Sequence, residues 1–258
     1  MITVITVCKD DAIGLELTTK SLLSQTARNW KQIIVYGESV DSTELVAKEL
    51  SLNDERIQCI KEDKRGIYQA MNQGLARCNS DFVWFMNSSD VFYSPTALER
   101  ASNLIREKNA TLVIGGYKVR NGTKAYFLSN EIRECSAREI SLSRRGTCHQ
   151  SMLFRTEKLV QIGGYDEKLE IVADFDAVMQ LALREGGVFS DSNIYSEILP
   201  GGGADKAIKF VVRARYDVRK RYFDSPVYNF RSWLLKQLIL FKINTREFVK
   251  NRTRKFSL

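Results

Sequence analysis

Proline is scarce: Pro95, Pro200 and Pro226 are the only three in 258 residues, so no proline-rich linker divides the chain. Histidine is scarcer still, with His149 alone. The five cysteines, Cys8, Cys59, Cys78, Cys135 and Cys148, are scattered, odd in number and form no CxxC pair. That excludes a disulfide framework and a zinc site built from thiol pairs, and predicts reduced, mostly buried thiols in a cytosolic protein. Long apolar runs are missing too. The most apolar late segment, Trp233 to Ile243, is broken by Lys236, Gln237 and Lys242 and falls well short of the about 20 residues of a spanning helix, so no transmembrane helix is expected. The start shows no basic segment leading to a small-residue cleavage site, and no secretory signal is expected. What is present, 44% hydrophobic and 27% charged residues, is the composition of a folded chain able to bury about 70 to 75% of its unfolded surface. One domain plus an appendage is the expectation.

The net charge of +8 is unevenly spread. Residues 205–258 hold fifteen Lys and Arg against four acids, a net of +11, whereas residues 1–204 hold 24 basic and 27 acidic residues, a net of −3. All the excess base is therefore in the tail, and its expected partner is anionic. Arg213, Arg215, Arg219, Lys220 and Arg221 interleave there with Phe210, Tyr216, Tyr222 and Phe223. A later helix carries Phe230, Trp233, Leu234, Leu238 and Phe241 on one face beside Arg231 and Lys242. This is the composition of an interfacial helix on an anionic membrane, each cation contributing about 1 kcal/mol near the surface. Gln237 interrupts the face, and packing on the body or on a second subunit, as in a homo-oligomer, stays open. No nucleic-acid motif accompanies the charge, and no nucleic acid is expected.

Along the first half, short apolar runs alternate with helical stretches, the pattern of βαβ units and a mostly parallel sheet. Strands are expected at Ile2 to Val7, Gln32 to Tyr36, Arg56 to Ile60 and Phe82 to Met86. Helices are expected at Leu15 to Gln25, with Leu17, Leu22 and Leu23 inward, from an Asp41 cap through Leu50, and at Ile67 to Cys78. A helix at about Thr96 to Glu107 is followed by strands at Thr111 to Ile114, Tyr117 to Val119, Ala125 to Leu128 and Cys148 to Phe154. A helix at Ala177 to Arg184 follows the acidic Asp174-Phe175-Asp176.

The fourth strand runs into Asn87-Ser88-Ser89-Asp90. A carboxylate at the end of a buried strand can hold a hard divalent cation against a diphosphate, although a turn or a helix cap is the commoner use of such an aspartate. Taken with Arg65-Gly66-Ile67-Tyr68-Gln69-Ala70-Met71-Asn72-Gln73-Gly74, Cys148-His149-Gln150 and Ala173-Asp174-Phe175-Asp176, the series resembles family 2 of the nucleotide-sugar glycosyltransferases over about Ile2 to Gly203. Within that family it is closest in pattern to the bacterial exopolysaccharide and O-antigen branch that includes the colanic acid transferases.

The resemblance implies an α/β fold of GT-A type, a Rossmann-like mostly parallel sheet flanked by helices over residues 1–204, with residues 205–258 as a basic helical extension. It implies Asp90 as the metal-binding carboxylate for Mn²⁺ or Mg²⁺, with Asn87 replacing the first acid of the family's motif. Asp174 matches the catalytic base, its other use being a helix N-cap, and Asp176 caps or orients the next helix. Val7, Glu38, Asp63, Arg65, Asn72, Asn87, Ser88 and Ser89 fall to the nucleoside diphosphate sugar donor. The strand-two loop departs from the family's Asp-rich form: Tyr36 there can stack on a base, Glu38 can accept its N–H, and Asp41 reads as a helix cap. His149 and Gln150 fall to the diphosphate or the acceptor, a glycan or lipid-linked oligosaccharide at the cytoplasmic face of the cell membrane. Gly201-Gly202-Gly203 reads as a lid loop or a plain turn. The QxxRW motif of processive members is absent, so one sugar per encounter is expected, with inversion at the anomeric carbon. A catalytically silent protein that keeps the fold to bind a nucleotide, a glycan or a partner is the alternative. A nucleotidyltransferase would need a glycine-rich phosphate loop where this chain has Cys8-Lys9-Asp10-Asp11.

Overall fold

The computed structural model describes residues 1–143, 147–200 and 207–255, with side chains as far as residue 245. Two compact units result, Met1–Pro200 and Gly201–Leu258. The expected boundary after Ala204 and the Gly201-Gly202-Gly203 loop lie outside the described residues.

The first unit opens with three βα units: β1 (Ile2–Cys8), α1 (Ala12–Leu23), β2 (Trp30–Tyr36), α2 (Thr43–Asn53), β3 (Ile57–Lys61) and α3 (Ile67–Leu75), leading to β4 (Phe82–Phe85). Next come β5 (Val91–Phe92), α4 (Ala97–Glu107), β6 (Leu112–Val119), β7 (Ala125–Tyr126), β8 (Arg133–Glu134) and α5 (Ala137–Leu142). A 3₁₀ turn, His149–Ser151, enters β9 (Met152–Arg155), and α6 (Thr156–Gln161), α7 (Ala173–Arg184) and β10 (Val188–Ile198) complete it. The strands form one sheet in the order β3-β2-β1-β4-β9-β6-β10-β5, with β7 on β6 and β8 on β10. The first four are mutually parallel, and β9 lies antiparallel between β4 and β6.

Strand alternation divides the core into two layers. Val4, Ile34 and Trp84 face Leu15, Leu22, Ala47 and Leu98 of α1, α2 and α4. On the other face Gly74 of α3 sits against Ile5 and Val35, and Phe85 packs on Tyr165 and Phe154 at ring-centre distances of 4.9 and 6.1 Å.

Several local expectations need correction. Helix α1 buries Leu15, Thr18, Thr19 and Leu22, while Leu17 and Leu23 are exposed. The inward face is set by a buried amide: Gln32 Nε2 donates to Thr6 Oγ1 at 3.0 Å and to Thr19 Oγ1 at 3.1 Å, so hydroxyls take the inner positions. Ser42, not Asp41, occupies the N-cap position of α2. Asp41 instead ties two helices together, accepting from Thr43 and from the Ala12 backbone N–H at 3.1 Å, and the hydrogen bond from the Thr43 hydroxyl is the main cause holding its carboxyl below the usual range. His149–Ser151 form a 3₁₀ turn rather than strand, entered from an extended Cys148. Asp174 and Asp176 lie inside the first turn of α7, whose cap is Val172, because the helix begins four residues earlier than expected. The strands expected at 111–114 and 117–119 are one continuous strand. None of the five cysteines forms a disulfide; Cys8 and Cys135 are buried and the other three half-buried.

The second unit holds α8 (Ile208–Tyr222) and α9 (Pro226–Lys255), packed on each other. Tyr228, Ser232 and Leu235 are buried along one side of α9. At about 100° per residue, Val227, Phe230, Leu234, Leu238 and Phe241 form a second stripe, and all five are exposed, Val227, Phe230 and Phe241 by 66%, 61% and 70%. No helix among the described residues is long and apolar enough to cross a membrane.

Candidate active site

After β3 the chain crosses back over β1 to form β4, so the connections part between β1 and β4. In an open α/β sheet that point leaves a crevice beyond the carboxyl ends of the strands. A cavity of about 340 Å³ occupies it, lined by Val7, Cys8, Lys9, Glu62, Arg65, Gly66, Asn87 and Ser88, among others. Gly66 starts α3 with φ 139°, a left-handed conformation suited to glycine, and no side chain caps that helix end. Arg65 pairs with Glu38 at 3.2 Å, both side chains exposed. Asp63 is exposed, and Glu62 is the acid that lines the cavity. Tyr36 is buried, and Asn72 is spent on structure: its amide accepts from Tyr165 N at 2.9 Å and donates to Tyr165 O at 2.8 Å. A second hollow, of about 440 Å³, lies around the amino ends of β2 and β3 and includes Lys31, Arg56 and Arg77.

The polar turn continues the ladder of β4, Ser88 N donating to Val7 O at 3.1 Å. Ser89 then turns left-handed, φ 70°, a conformation that costs a non-glycine residue on the order of 1 kcal/mol and persists only where neighbours fix it. Three do so. Ser89 Oγ donates to Asp11 Oδ2 at 2.8 Å, Ser89 N donates to Gly14 O at 3.0 Å, and Arg120 Nη2 donates to Ser89 O at 2.8 Å. Gly14 permits the contact, since a methyl there would overlap both the Asp11 carboxylate and Ser89 Oγ. Asp90 follows, 6% exposed. Gln150 Nε2 donates to its Oδ2 and Leu199 N to its Oδ1, each at 2.8 Å. Burial pushes the Asp90 carboxyl up, and these two donors pull it part of the way back.

Asp174 stands in the first turn of α7, 9% exposed. Phe175 N donates to its Oδ1 at 2.8 Å, and the Tyr68 hydroxyl, which donates to Ile171 O at 2.9 Å, lies 3.4 Å from the same oxygen. His149 Nδ1 is 3.4 Å from Oδ2, and His149 Nε2 is 3.1 Å from Asn87 Nδ2. Adjacent residues of one 3₁₀ turn thus reach the two carboxylates, His149 to Asp174 and Gln150 to Asp90. The turn is itself held by Trp84 Nε1 donating to Gln150 O at 2.9 Å and by Cys148 Sγ donating to Gln150 Oε1 at 2.9 Å. Asp176 accepts from Gln180 within its own helix.

The sequence-derived residues therefore fall into two groups. Val7, Arg65, Asn87 and Ser88 line the cavity with Glu38 paired to Arg65, and Asn87, Asp90, His149, Gln150 and Asp174 form one hydrogen-bonded chain with Ser89 in the turn between. Arg120, Asp11 and Tyr68 were not singled out as site residues. Arg120 carried a signal like that of Asp90, a charged residue at the end of an apolar strand.

A family model, glycosyl transferase family 2, matches residues 3–162. A glycosyltransferase of Mycobacterium tuberculosis, described as uncharacterized, is 28% identical over 183 residues, covering 70% of this chain and 69% of its own length. Among solved structures, Staphylococcus aureus TarS in complex with UDP aligns over 100% of this chain and 74% of its own, with a TM-score of 0.69 at 19% identity. The mannosyltransferase PcManGT of Pyrobaculum calidifontis, in complex with GDP-Man and Mn²⁺, aligns over 88% and 66%, with a TM-score of 0.69 at 14% identity. The structural likeness shows the fold: a GT-A type α/β sheet flanked by helices.

Proposed function

The chain belongs to glycosyl transferase family 2, and on that premise we propose that it moves one sugar from a nucleoside diphosphate sugar to a glycan acceptor, inverting the anomeric carbon. The observation that carries this reading is the pair of buried carboxylates, Asp90 and Asp174, served by neighbouring residues of one turn beside the crevice. The donor lies in that crevice, its diphosphate near Arg65 and the uncapped start of α3, whose N–H groups attract anions. Val7 and Ser88 shape the wall, Ser89 holds the turn behind it through Asp11, and Glu38 holds Arg65 at the rim. Asp174 takes the proton of the acceptor hydroxyl as the new C–O bond forms, and the diphosphate leaves from the opposite face with the bonding electrons. The bacterial exopolysaccharide and O-antigen type of acceptor is favoured by the motif pattern, and a single transfer per encounter by the missing QxxRW.

Asp90 offers hard oxygens, and among the described residues no group of three or more His, Cys, Asp or Glu can hold a metal. Through Asp90 the chain would hold Mg²⁺ or Mn²⁺, hard cations that take carboxylate oxygen together with substrate phosphates and water. Held there, such an ion would supply positive charge to offset that of the diphosphate leaving group. A panel of nucleoside diphosphate sugars, with and without Mn²⁺, tests the reading by thermal shift. At about 100 times Kd, a bound donor adds about 2.7 kcal/mol to stability, and Asp90→Ala should remove the Mn²⁺-dependent part of the shift. If no member of the panel raises Tm, the silent binding protein becomes the better reading; the substitution of the first acid by Asn87 is what favours it.

The exposed apolar stripe of α9, with Arg231 and Lys242 beside it and a tail of net +11, supports attachment to the cytoplasmic face of an anionic membrane, where a lipid-linked acceptor is found. Full-length protein should float with vesicles containing anionic lipid. Combined Phe230→Asp, Leu234→Asp and Phe241→Asp should abolish flotation without loss of helix content. Unchanged flotation would overturn the attachment.

A further inference from the structure

Asn87 and His149 are joined in a way that neither a metal motif nor a diphosphate contact requires. Asn87 Nδ2 lies 3.1 Å from His149 Nε2, and an amide nitrogen only donates, so Nε2 must be the bare, accepting nitrogen. The ring proton then sits on Nδ1, 3.4 Å from Asp174 Oδ2. Asn87 Oδ1 is buried without a partner among the described residues. The opposite amide orientation would bury two unused N–H donors in place of one unused acceptor, the costlier arrangement. An acid at position 87 would accept from Nε2 and draw the imidazole away from its role as a single-proton bridge.

We propose that His149 is a positioning residue. As the uncharged Nδ1–H tautomer fixed by the Asn87 amide, it holds the Asp174 carboxylate towards the crevice that Asn87 itself lines. The inference rests on Asp174 acting as base. It assigns Asn87 a purpose other than metal binding, and it ties the base to a wall of the donor cavity. The described groups around the bridge include the Tyr68 hydroxyl at Asp174 Oδ1, the Phe175 N–H, and Gln150, which is bonded to Asp90. A displaced base loses reach to its hydroxyl, and a misplacement of about 1 Å can cost about 100-fold in rate.

His149 is the sole histidine, so the full-length protein labelled with ¹⁵N-histidine gives one pair of ring nitrogen signals that need no residue assignment, and their couplings to Hδ2 and Hε1 tell Nδ1 from Nε2. In the free protein at neutral pH, Nδ1 should appear protonated and Nε2 bare, and Asn87→Asp should move Nε2 into the protonated range. A bare Nδ1 in the wild type overturns the proposal. Kinetically, His149→Ala should lower kcat about 10- to 100-fold and leave the donor KM within about twofold. His149→Asn, whose amide reaches the place of Nδ1, should recover most of the rate, and His149→Gln should not. A raised donor KM at unchanged kcat would mean that His149 touches the diphosphate and would also overturn it. If Asp174→Asn is inactive while His149→Ala keeps wild-type kcat, positioning is wrong and the base stands. If Asp174→Asn is fully active, the base assignment falls whatever the ring spectrum shows.

Discussion

Asp174→Asn is expected to lower kcat by about 10²- to 10⁴-fold, the range supplied by a positioned general base. Donor binding, read as the thermal shift with nucleotide sugar, should stay at its wild-type value. The substitution keeps the size of the side chain and one accepting oxygen, which Phe175 N–H can still use. What it removes is the ability to take a proton from the acceptor hydroxyl. With the accepting oxygen kept at the Oδ1 position, which the Tyr68 hydroxyl also faces, the NH₂ group takes the place of Oδ2 and meets the His149 ring, a loss of about 1 kcal/mol of stability. A large fall in rate with a small fall in Tm is therefore the signature. Transfer at the wild-type rate would sink the base assignment, and an equal collapse of donor binding would place Asp174 on the donor instead.

Trp84→Ala should have the largest effect on stability. Trp84 is fully buried in β4, edge-on to Phe92 at 5.1 Å and tilted against Tyr195 at 5.6 Å. Emptying such a site costs about 3–5 kcal/mol through lost transfer energy and the cavity left behind, a large share of the about 5–15 kcal/mol that holds a domain folded. The urea midpoint should fall steeply at unchanged slope; a loss below about 1 kcal/mol would contradict this account of the core. Trp84→Phe separates packing from hydrogen bonding. It fills most of the space but leaves Gln150 O without its donor, so a smaller loss of stability should come with weaker Mn²⁺-dependent donor binding, because Gln150 also holds Asp90.

The parallel half of the sheet was legible because its strands are short apolar runs parted by helical stretches, although α1, α2 and α3 each have one end three residues from its expected position. Strand ends fell within two residues of their observed positions, and the polar turn after β4 was visible as a break from Phe85-Met86 into Asn87-Ser88. Helix α1 was misread for a physical reason: hydropathy puts leucines inward, whereas buried Gln32 calls Thr19 to the inner face and the carbonyls of Asn87 and Asp90 take the Thr18 hydroxyl, needs that arise far away in the sequence. The 3₁₀ turn had no local signal, since His149-Gln150 owes its shape to Trp84, more than sixty residues away. Asp174 was legible as a residue but not as a position, because an acid ahead of an apolar run reads equally as a cap or as the first turn. Arg120 was missed because its partners, Ser89 O and Glu197, are remote in sequence.

The insertion of β9 between β4 and β6 has a consequence for error tolerance. The turn that serves both carboxylates runs without a break into β9, where Val83 lies opposite Phe154 and Trp84 opposite Leu153. Side chains alternate along a strand, so a slip of one residue in this pairing would present every neighbour to the wrong face. Insertions or deletions of a single residue between Gln150 and Phe154 should thus be far more damaging than longer changes in the turn at residues 121–124, between β6 and β7. Spacing between turn and strand, rather than side-chain identity alone, is a quantity under constraint in this chain.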